Sequence, residues 1–331
     1  MFEIKIWCTI NFWKIMETLT GIERLTYEKE ATSPFVGKFG LRTLFNLIWA
    51  TAGFVGVIIL TENGTLPLLA GMALSALFVQ AFYMPMHESV HHTPSGGNPK
   101  LSWLDNLIGQ ISGFVLCESF TGHVTTHLLH HTHANGEEDP DVLNSEGTPA
   151  QIFGRTIAGA SLYLLTPFLA FFPSLALLFP KKIRKRFAER SRLRGPEVAK
   201  AIQIVATLHV LVLTMGTIFG YGKIVWLLWY LPTWVARYWL ALVFAWLPHR
   251  PHEETTRYRD TRIFTFPGST FLIRGHDHHL LHHLFPRVPH YHLRSLWKEM
   301  APHLHAQGAR IEGNAARHAL NMSGVSSQET L

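Results

Sequence analysis

Histidine is the residue type whose number and spacing in this sequence could do chemistry. The chain of 331 residues contains 21 histidines, and most of them lie in three short clusters. The first cluster reads His87-Glu-Ser-Val-His91-His92, and the other two both read H-L-L-H-H, at 127–131 and 279–283. Side chains three or four residues apart leave a helix from the same face. Each cluster is therefore predicted to aim its imidazoles in one direction.

These imidazoles are numerous enough to bind more than one metal ion. Imidazole suits Fe, Zn, Cu and Ni, and eight or more such groups exceed what one ion can use, so two ions are implied. If the ions are iron, they can activate dioxygen and remove hydrogen from an unactivated C–H bond. Neighbouring carboxylates can orient the rings by accepting their second N–H. The carboxylates placed for that role are Glu88, Glu118, Asp139, Asp141 and Asp277.

The composition indicates that the elements carrying these clusters lie in lipid. Apolar residues make up 47% of the chain and charged residues only 16%, whereas a soluble domain has about 25% charged residues. Disorder, collagen and a disulfide-stapled secreted fold are excluded. The two cysteines, Cys8 and Cys117, are too few for a thiolate metal cluster.

Four segments are long and apolar enough to cross a bilayer, which takes about 20 residues. They run approximately over 41–60, 66–84, 201–220 and 224–247. The loops within the first pair and within the second pair are very short. Each pair is therefore predicted to form a transmembrane hairpin.

Basic residues predict the orientation, because Lys and Arg accumulate in cytoplasmic loops. Lys and Arg are frequent before the first span, and a second basic run extends from Lys181 to Arg194 between the hairpins. We expect both regions, and with them all the histidine clusters, to face the cytoplasm. The basic run is also expected to contact anionic headgroups.

Two further apolar segments are expected at the membrane without crossing it. A single crossing by 156–180 would move the basic run to the wrong side, and Pro167 and Pro173 are expected to break this segment into short re-entrant or in-plane pieces. The segment Trp103–Leu116 has apolar residues at helical spacing and polar Asp105 on the other face, so it should lie flat at the interface.

The predicted fold is an all-α integral membrane protein with four transmembrane helices in two hairpins. Interfacial or re-entrant helices and a cytoplasmic histidine-rich cap complete it. We divide the chain into an N-terminal cytoplasmic or interfacial segment (1–40), a membrane domain (41–305) and a polar C-terminal tail (306–331) that is frayed from Ser323 to Leu331.

The three clusters together resemble the histidine boxes of the membrane fatty acid desaturase and hydroxylase superfamily. Those boxes have the forms H-x(3 or 4)-H, H-x(2 or 3)-H-H and H-x(2 or 3)-H-H, and the resemblance runs from about Leu66 to Leu304. It implies a cytoplasmic-facing centre of two Fe ions, O2 as co-substrate and an external electron donor. It assigns metal ligation to His87, His91, His127, His130, His131, His279, His282 and His283, and adds His249 in the string L-P-H-R-P-H near the end of the last span.

The same resemblance leaves the reaction open. Acyl desaturation is the first choice. The strings H-H-T-H-A-N-G-E-E-D-P-D and L-P-H-R-P look closer to the β-carotene hydroxylase branch, so carotenoid ring hydroxylation comes next. Oxidative decarboxylation of a fatty acid to a terminal alkene is a further alternative. Because the sequence has no H-P-G-G haem-binding string, we expect electrons from a separate ferredoxin or cytochrome b5. The expected partners are that donor, a lipid substrate and the membrane, with no nucleic acid.

A rival hypothesis comes from another class of enzyme. The segment from His87 to His91 is formally H-E-x-x-H, in which two histidines bind zinc and the glutamate activates water in metalloproteases. That mechanism needs only one further ligand and would leave two H-x-x-H-H boxes without a purpose.

Several polar residues lie outside the boxes. Arg237 lies inside the last span, either as a functional group or as a side chain that extends to the interface. His209 is expected to be a hydrogen-bonded packing residue. His303, His305 and His318 are expected at the surface.

Overall fold

The computed structural model describes residues 21–142, 146–181, 184, 185, 188, 192 and 194–317, and over these the regular secondary structure is almost all helix. It divides into two compact units. Gly40–Ala245 is called the membrane unit, and the described parts of Met1–Phe39 and Trp246–Leu331 are called the terminal unit. The predicted all-helical class is confirmed. Several predicted features lie outside the described residues: residues 1–20, three residues of the basic run (Lys182, Arg186 and Arg190), His318 and the predicted frayed tail.

The helices are numbered in chain order. They are α1 (Gly21–Thr32), α2 (Leu41–Glu62), α3 (Leu68–Val90, with a turn at Phe82), α4 (Ser102–Val115), α5 (Phe120–His133), α6 (Pro149–Phe171), α7 (Pro196–Ile218), α8 (Lys223–His249), α9 (Ser269–Leu272), α10 (His279–Leu284) and α11 (Leu293–Ala306). Two short strands, β1 (Ile263–Thr265) and β2 (Ile311–Gly313), pair in parallel in the terminal unit.

The two predicted hairpins are confirmed as pairs of packed helices. Helix α2 packs against α3, and α7 packs against the first part of α8. A Cβ at Gly53 would overlap the ring of Phe78, so the first pair approaches closely where α2 has no side chain. Helices suit these segments because lipid offers no partner for backbone N–H and C=O groups, which must be satisfied within the helix.

A fifth helix, α6, is also long and apolar enough to cross a membrane, by length and composition. The prediction that Pro167 breaks this segment into short pieces is wrong, because α6 continues through that proline to Phe171. Pro167 lies close to the end of the helix, where the loss of one backbone hydrogen bond disturbs little. The helix also begins earlier than predicted, at a capping box in which Thr148 and Gln151 exchange hydrogen bonds. It ends just before Pro173, as the sequence suggested.

Helix α4 corresponds to the predicted interfacial segment. Its exposed side includes Trp103, Leu107 and Ile111, as expected of an apolar face. Asp105 was predicted on the other face of this helix, and there its carboxylate is buried. It accepts hydrogen bonds from the backbone and hydroxyl of Ser95 and contacts Nδ1 of His92 at 3.1 Å. Burial is tolerated because its oxygens are satisfied.

The terminal unit has its own core. Buried side chains from α10 and α11, including Leu280, Leu281 and Leu296, form it together with Ile263 of β1. Segments distant in sequence therefore meet around one apolar cluster. This arrangement sets the position of the third histidine cluster, since the two leucines of H-L-L-H-H belong to that core.

Helix α1 is tied to α11 by the buried carboxylate of Glu28. It contacts Nε2 of His303 at 3.1 Å, Tyr258 Oη at 2.5 Å and Arg257 Nη2 at 2.7 Å. The prediction that His303 is a surface residue is wrong, because it is fully buried beside this carboxylate. Helical spacing alone did not reveal that α1 covers it. His305 is exposed, as predicted.

Candidate metal centre

Four predicted ligands come together in the membrane unit. His87 and His91 lie at the end of α3, and His127 and His131 lie one turn apart on α5. Each offers one ring nitrogen, and these nitrogens lie within 4.8 Å of one another. The four are called the membrane-unit cluster. The i, i+4 spacing in both helices aims each pair of rings into the same space, as predicted from the sequence.

The spacing of the nitrogens in this cluster fits a metal ion. Nε2 of His127 lies 3.0 Å from Nε2 of His91 and 3.0 Å from Nε2 of His131. Ligand nitrogens about 2.1 Å from an ion and at right angles to each other are about 3.0 Å apart. The imidazoles are thus as close as ligands of one ion would be.

The surroundings of His127 favour the neutral ring that binds metals. Burial is the largest cause, and the neighbouring histidines His131, His87 and His91 add to it; together they hold the pKa of His127 well below its usual range. A neutral imidazole has a lone pair available for a metal.

His130 has a carboxylate partner. Its Nδ1 lies 3.0 Å from both carboxylate oxygens of Asp139, a residue predicted for this role. Burial acts to raise the pKa of Asp139, but the hydrogen bond and charge of His130 outweigh it and the pKa is lowered. Backbone N–H groups of Asn135 and Asp141 also donate to this carboxylate. Asp139 can therefore hold Nδ1–H of His130 and leave its Nε2 for a ligand.

A second cluster lies in the terminal unit. His249, at the end of α8, and His279 and His283 of α10 offer ring nitrogens that also lie within 4.8 Å of one another. Nε2 of His249 is 3.2 Å from Nε2 of His279. These three are called the terminal-unit cluster. His249 thus lies beside third-box histidines, although it is 30 residues away in sequence.

His282 is buried on the same short helix. Its ring centroid is 5.5 Å from that of His279 and 5.1 Å from that of His276.

Two residues outside the boxes contact the other histidines of this helix. Nδ1 of His276 lies 2.9 Å from Nδ1 of His279, and Nδ1 of His283 lies 3.4 Å from a carboxylate oxygen of Asp260. Nothing in the spacing pointed to Asp260. His276 could have been suspected from its place beside the third box.

The other predicted carboxylates make several different contacts. Glu88 is buried and accepts a hydrogen bond from the hydroxyl of Thr93. Asp277 accepts from the hydroxyls of Ser269 and Thr270 and lies 2.9 Å from Nδ1 of His278. Burial acts to raise the pKa of Asp277, but His278 and the two hydroxyls lower it overall.

Glu118 contacts a histidine outside the boxes. Its Oε1 lies 3.1 Å from Nδ1 of His123. Burial acts to raise its pKa, but His123 and the guanidinium groups of Arg237 and Arg194 lower it to about 2. Glu118 is therefore a carboxylate across the neutral pH range.

His209 and Arg237, the two polar residues that the sequence placed inside the spans, are both hydrogen-bonded. His209 contacts the carbonyls of Val205 and Phe114 at 2.8 Å each, which confirms the packing role predicted for it. Arg237 donates to the carbonyl of Cys117 at 2.9 Å. Its guanidinium is thus held by the chain itself.

The H-E-x-x-H string gains no support as a zinc protease site. His87 and His91 share their space with two further imidazoles, His127 and His131. A protease site would need the string and one more ligand. The arrangement favours a metal centre built from imidazole alone.

Comparisons with known proteins agree with the histidine boxes. A family model described as fatty acid desaturase matches residues 63–313. This range includes both clusters and three quarters of the chain. No curated protein matches the sequence significantly.

Proposed function

The chain belongs to the fatty acid desaturase family, and from that premise we propose that it uses O2 and two iron ions to introduce a double bond into a fatty acyl chain. Membership makes it a membrane oxidoreductase that acts on lipids. The acyl substrate, the iron ions and the desaturation outcome are the parts that we propose.

The observation that carries the proposal is the pair of all-imidazole clusters. Within the membrane-unit cluster, four ring nitrogens lie within 4.8 Å of one another. Within the terminal-unit cluster, three ring nitrogens do so. Imidazole is a suitable donor for iron, and nine histidines exceed what one ion can hold. We propose that these seven, together with His130 and His282, bind two ions.

Bound iron would supply the activation of dioxygen and the removal of hydrogen from an unactivated C–H bond. The surrounding residues would keep the histidine ring nitrogens neutral, hold the rings in orientation and exclude water from them. His87, His127 and His279 are buried, so water has little access to their rings. Asp139 can retain the proton on Nδ1 of His130, which leaves Nε2 as the donor atom.

The proposal also includes a lipid substrate, a separate electron donor and a side of the membrane. Helices α2 and α7 expose apolar side chains such as Phe45, Ile48 and Leu211, which suits contact with acyl chains. Electrons would come from a separate ferredoxin or cytochrome b5. Orientation by basic residues favours a cytoplasmic location for the histidines.

The experiment combines lipid and metal analysis. The full chain is expressed in a host supplied with fatty acids or carotenoids, and new lipids are identified by mass. We expect a monounsaturated or further unsaturated acyl product, two hydrogens lighter than its precursor, and about two irons per chain. If the new lipid is a hydroxylated carotenoid, the reaction is ring hydroxylation and the desaturation proposal fails. If it is a terminal alkene, the reaction is oxidative decarboxylation. A single tightly held zinc with peptidase activity would overturn the oxidoreductase proposal.

A further inference from the structure

Arg237 is a charged residue that the proposed reaction does not use. It lies inside α8, a helix long and apolar enough to cross a membrane. A charge in such a segment is costly unless a partner holds it. Nη1 of Arg237 donates to the carbonyl of Cys117 at 2.9 Å, and Nη2 lies 4.0 Å from Oε2 of Glu118. The guanidinium is therefore directed at the turn between α4 and α5.

The contact continues from Glu118 into α5. Oε1 of Glu118 lies 3.1 Å from Nδ1 of His123, in the first turn of that helix. A carboxylate next to Nδ1 holds the proton on that nitrogen, so the orientation of the ring is set by Glu118. The carboxylate in turn lies within ion-pair distance of Arg237, whose charge lies 4.0 Å from it.

The ring of His123 lies against a predicted ligand. It stacks on His127 with an interplanar angle of 10° and a centroid separation of 5.4 Å. His127 is the central ring of the membrane-unit cluster, because its Nε2 is 3.0 Å from nitrogens of both His91 and His131. A ring stacked parallel to it restricts its rotation about χ2. Close packing makes such restriction effective, since a buried ring has little free volume in which to turn.

We propose that Arg237, Glu118 and His123 are positioning residues that hold the imidazole of His127 in its metal-binding orientation. This proposal rests on the metal centre of the proposed function. The three residues touch no metal in this scheme and act through His127. Loss of a direct outer partner of a ligand typically weakens metal binding about 10- to 100-fold. Because His123 acts by stacking, we expect the lower end of that range.

The test measures metal release from the purified full chain in detergent. Iron-loaded protein is mixed with a chromogenic ferrous chelator and the release rate is recorded. Glu118→Leu removes the acceptor for His123, whereas Glu118→Gln keeps an acceptor oxygen at the same place. Arg237→Met removes the intramembrane charge. Lys223→Met is the matched control, because Lys223 is a cation of the same helix whose partner is Glu62, at 2.9 Å.

We expect Glu118→Leu and Arg237→Met to release iron about tenfold faster than the wild type. Glu118→Gln should stay within about threefold, and Lys223→Met should match the wild type. Arg237→Met should still insert into the membrane, because it deletes a costly charge. The absorption spectrum of the oxidised centre should change in the two fast-releasing variants and not in Lys223→Met.

Equal release rates for Glu118→Leu, Arg237→Met and the wild type would overturn the positioning role. So would equal acceleration by Glu118→Leu and Lys223→Met, which would reflect general loosening of the unit. If the wild type holds zinc in place of iron, the proposed function fails. The same release ratios, measured with zinc, then test the positioning residues independently.

Discussion

The two copies of H-L-L-H-H are both helical, but their surroundings differ. The copy at 127–131 lies within α5, a helix of 14 residues in the membrane unit, and Leu128 is 46% exposed. The copy at 279–283 opens α10, which has only six residues, and Leu280 and Leu281 are 0% exposed. The same pentapeptide thus serves as a helix surface in one unit and as part of the apolar core in the other.

The histidines of the two copies also have different partners. In the first copy, the middle histidine, His130, contacts Asp139. In the second, the first histidine contacts His276 and the last lies near Asp260. Spacing along a helix sets the direction of the rings, but the residues that orient them come from other parts of the chain. Matched substitutions in the two copies can therefore separate the effect of helical spacing from the effect of the orienting residues.

The largest effect is expected from removing a histidine of either copy. His130→Ala and His282→Ala should each abolish lipid product and lower the iron content, because both are assigned as ligands. Membrane insertion should remain intact. The measurements are product mass and iron per chain. His305→Ala, an exposed histidine outside the boxes, is the control and should behave as the wild type. Retained turnover in both variants would remove the ligand assignment.

The leucines should differ between the copies in their effect on stability. Leu281→Ala removes a fully buried side chain and should cost about 2–5 kcal/mol of unfolding free energy. Leu128→Ala changes an exposed position and should cost no more than about 0.5 kcal/mol. Thermal unfolding in detergent compares the two. Equal destabilisation would contradict the core role of the second copy.

The carboxylates near the two copies should differ in their effect on metal binding. Asp139→Asn should weaken iron binding about 10- to 100-fold, because it removes a charged partner of His130. Asp260→Asn should have a smaller effect in the same direction, since its contact with His283 is longer, 3.4 Å against 3.0 Å. Iron affinity is measured by competition with a chelator. Asp105→Asn is the control, because the histidine that Asp105 contacts is His92, which is not assigned as a ligand. If Asp105→Asn lost more iron affinity than Asp139→Asn, the assignment of Asp139 as the partner that orients a ligand would be contradicted.

The smallest effect is expected from acid acting on Glu28 of the terminal unit. Burial acts to raise the pKa of Glu28, but His303, Tyr258 and Arg257 lower it from 4.5 to about 2. A lowered pKa in the folded state stabilises the fold above the unfolded value, and this stability is lost as the pH falls from about 4.5 towards 2. Glu28→Gln should lack this contribution.

The measurement is the difference in melting temperature between the wild type and Glu28→Gln at several pH values. We expect this difference to be largest near neutral pH and to shrink below about pH 4.5. A difference that grows as the pH falls would contradict the assigned direction of the pKa shift.

Local patterns were enough to predict the helical class, the two hairpins and the direction of the box histidines. Apolar runs and i, i+4 spacing are properties of neighbouring residues, so they can be read without knowing the fold. The continuity of α6 through Pro167 was missed because the effect of a proline depends on where its helix ends. The burial of Asp105 and His303 was missed because their partners, Ser95 and Glu28, are supplied by other segments.

The amino-acid order alone determined which side chains could serve as donors and which stretches prefer lipid, because both depend on residue type and short-range periodicity. The folded chain decided which nitrogens come within ligand distance in each unit, which carboxylate or imidazole orients them, and that Arg237 points at the turn before α5. These are contacts between residues far apart in sequence, and they exist only once helices have packed and excluded the alternatives.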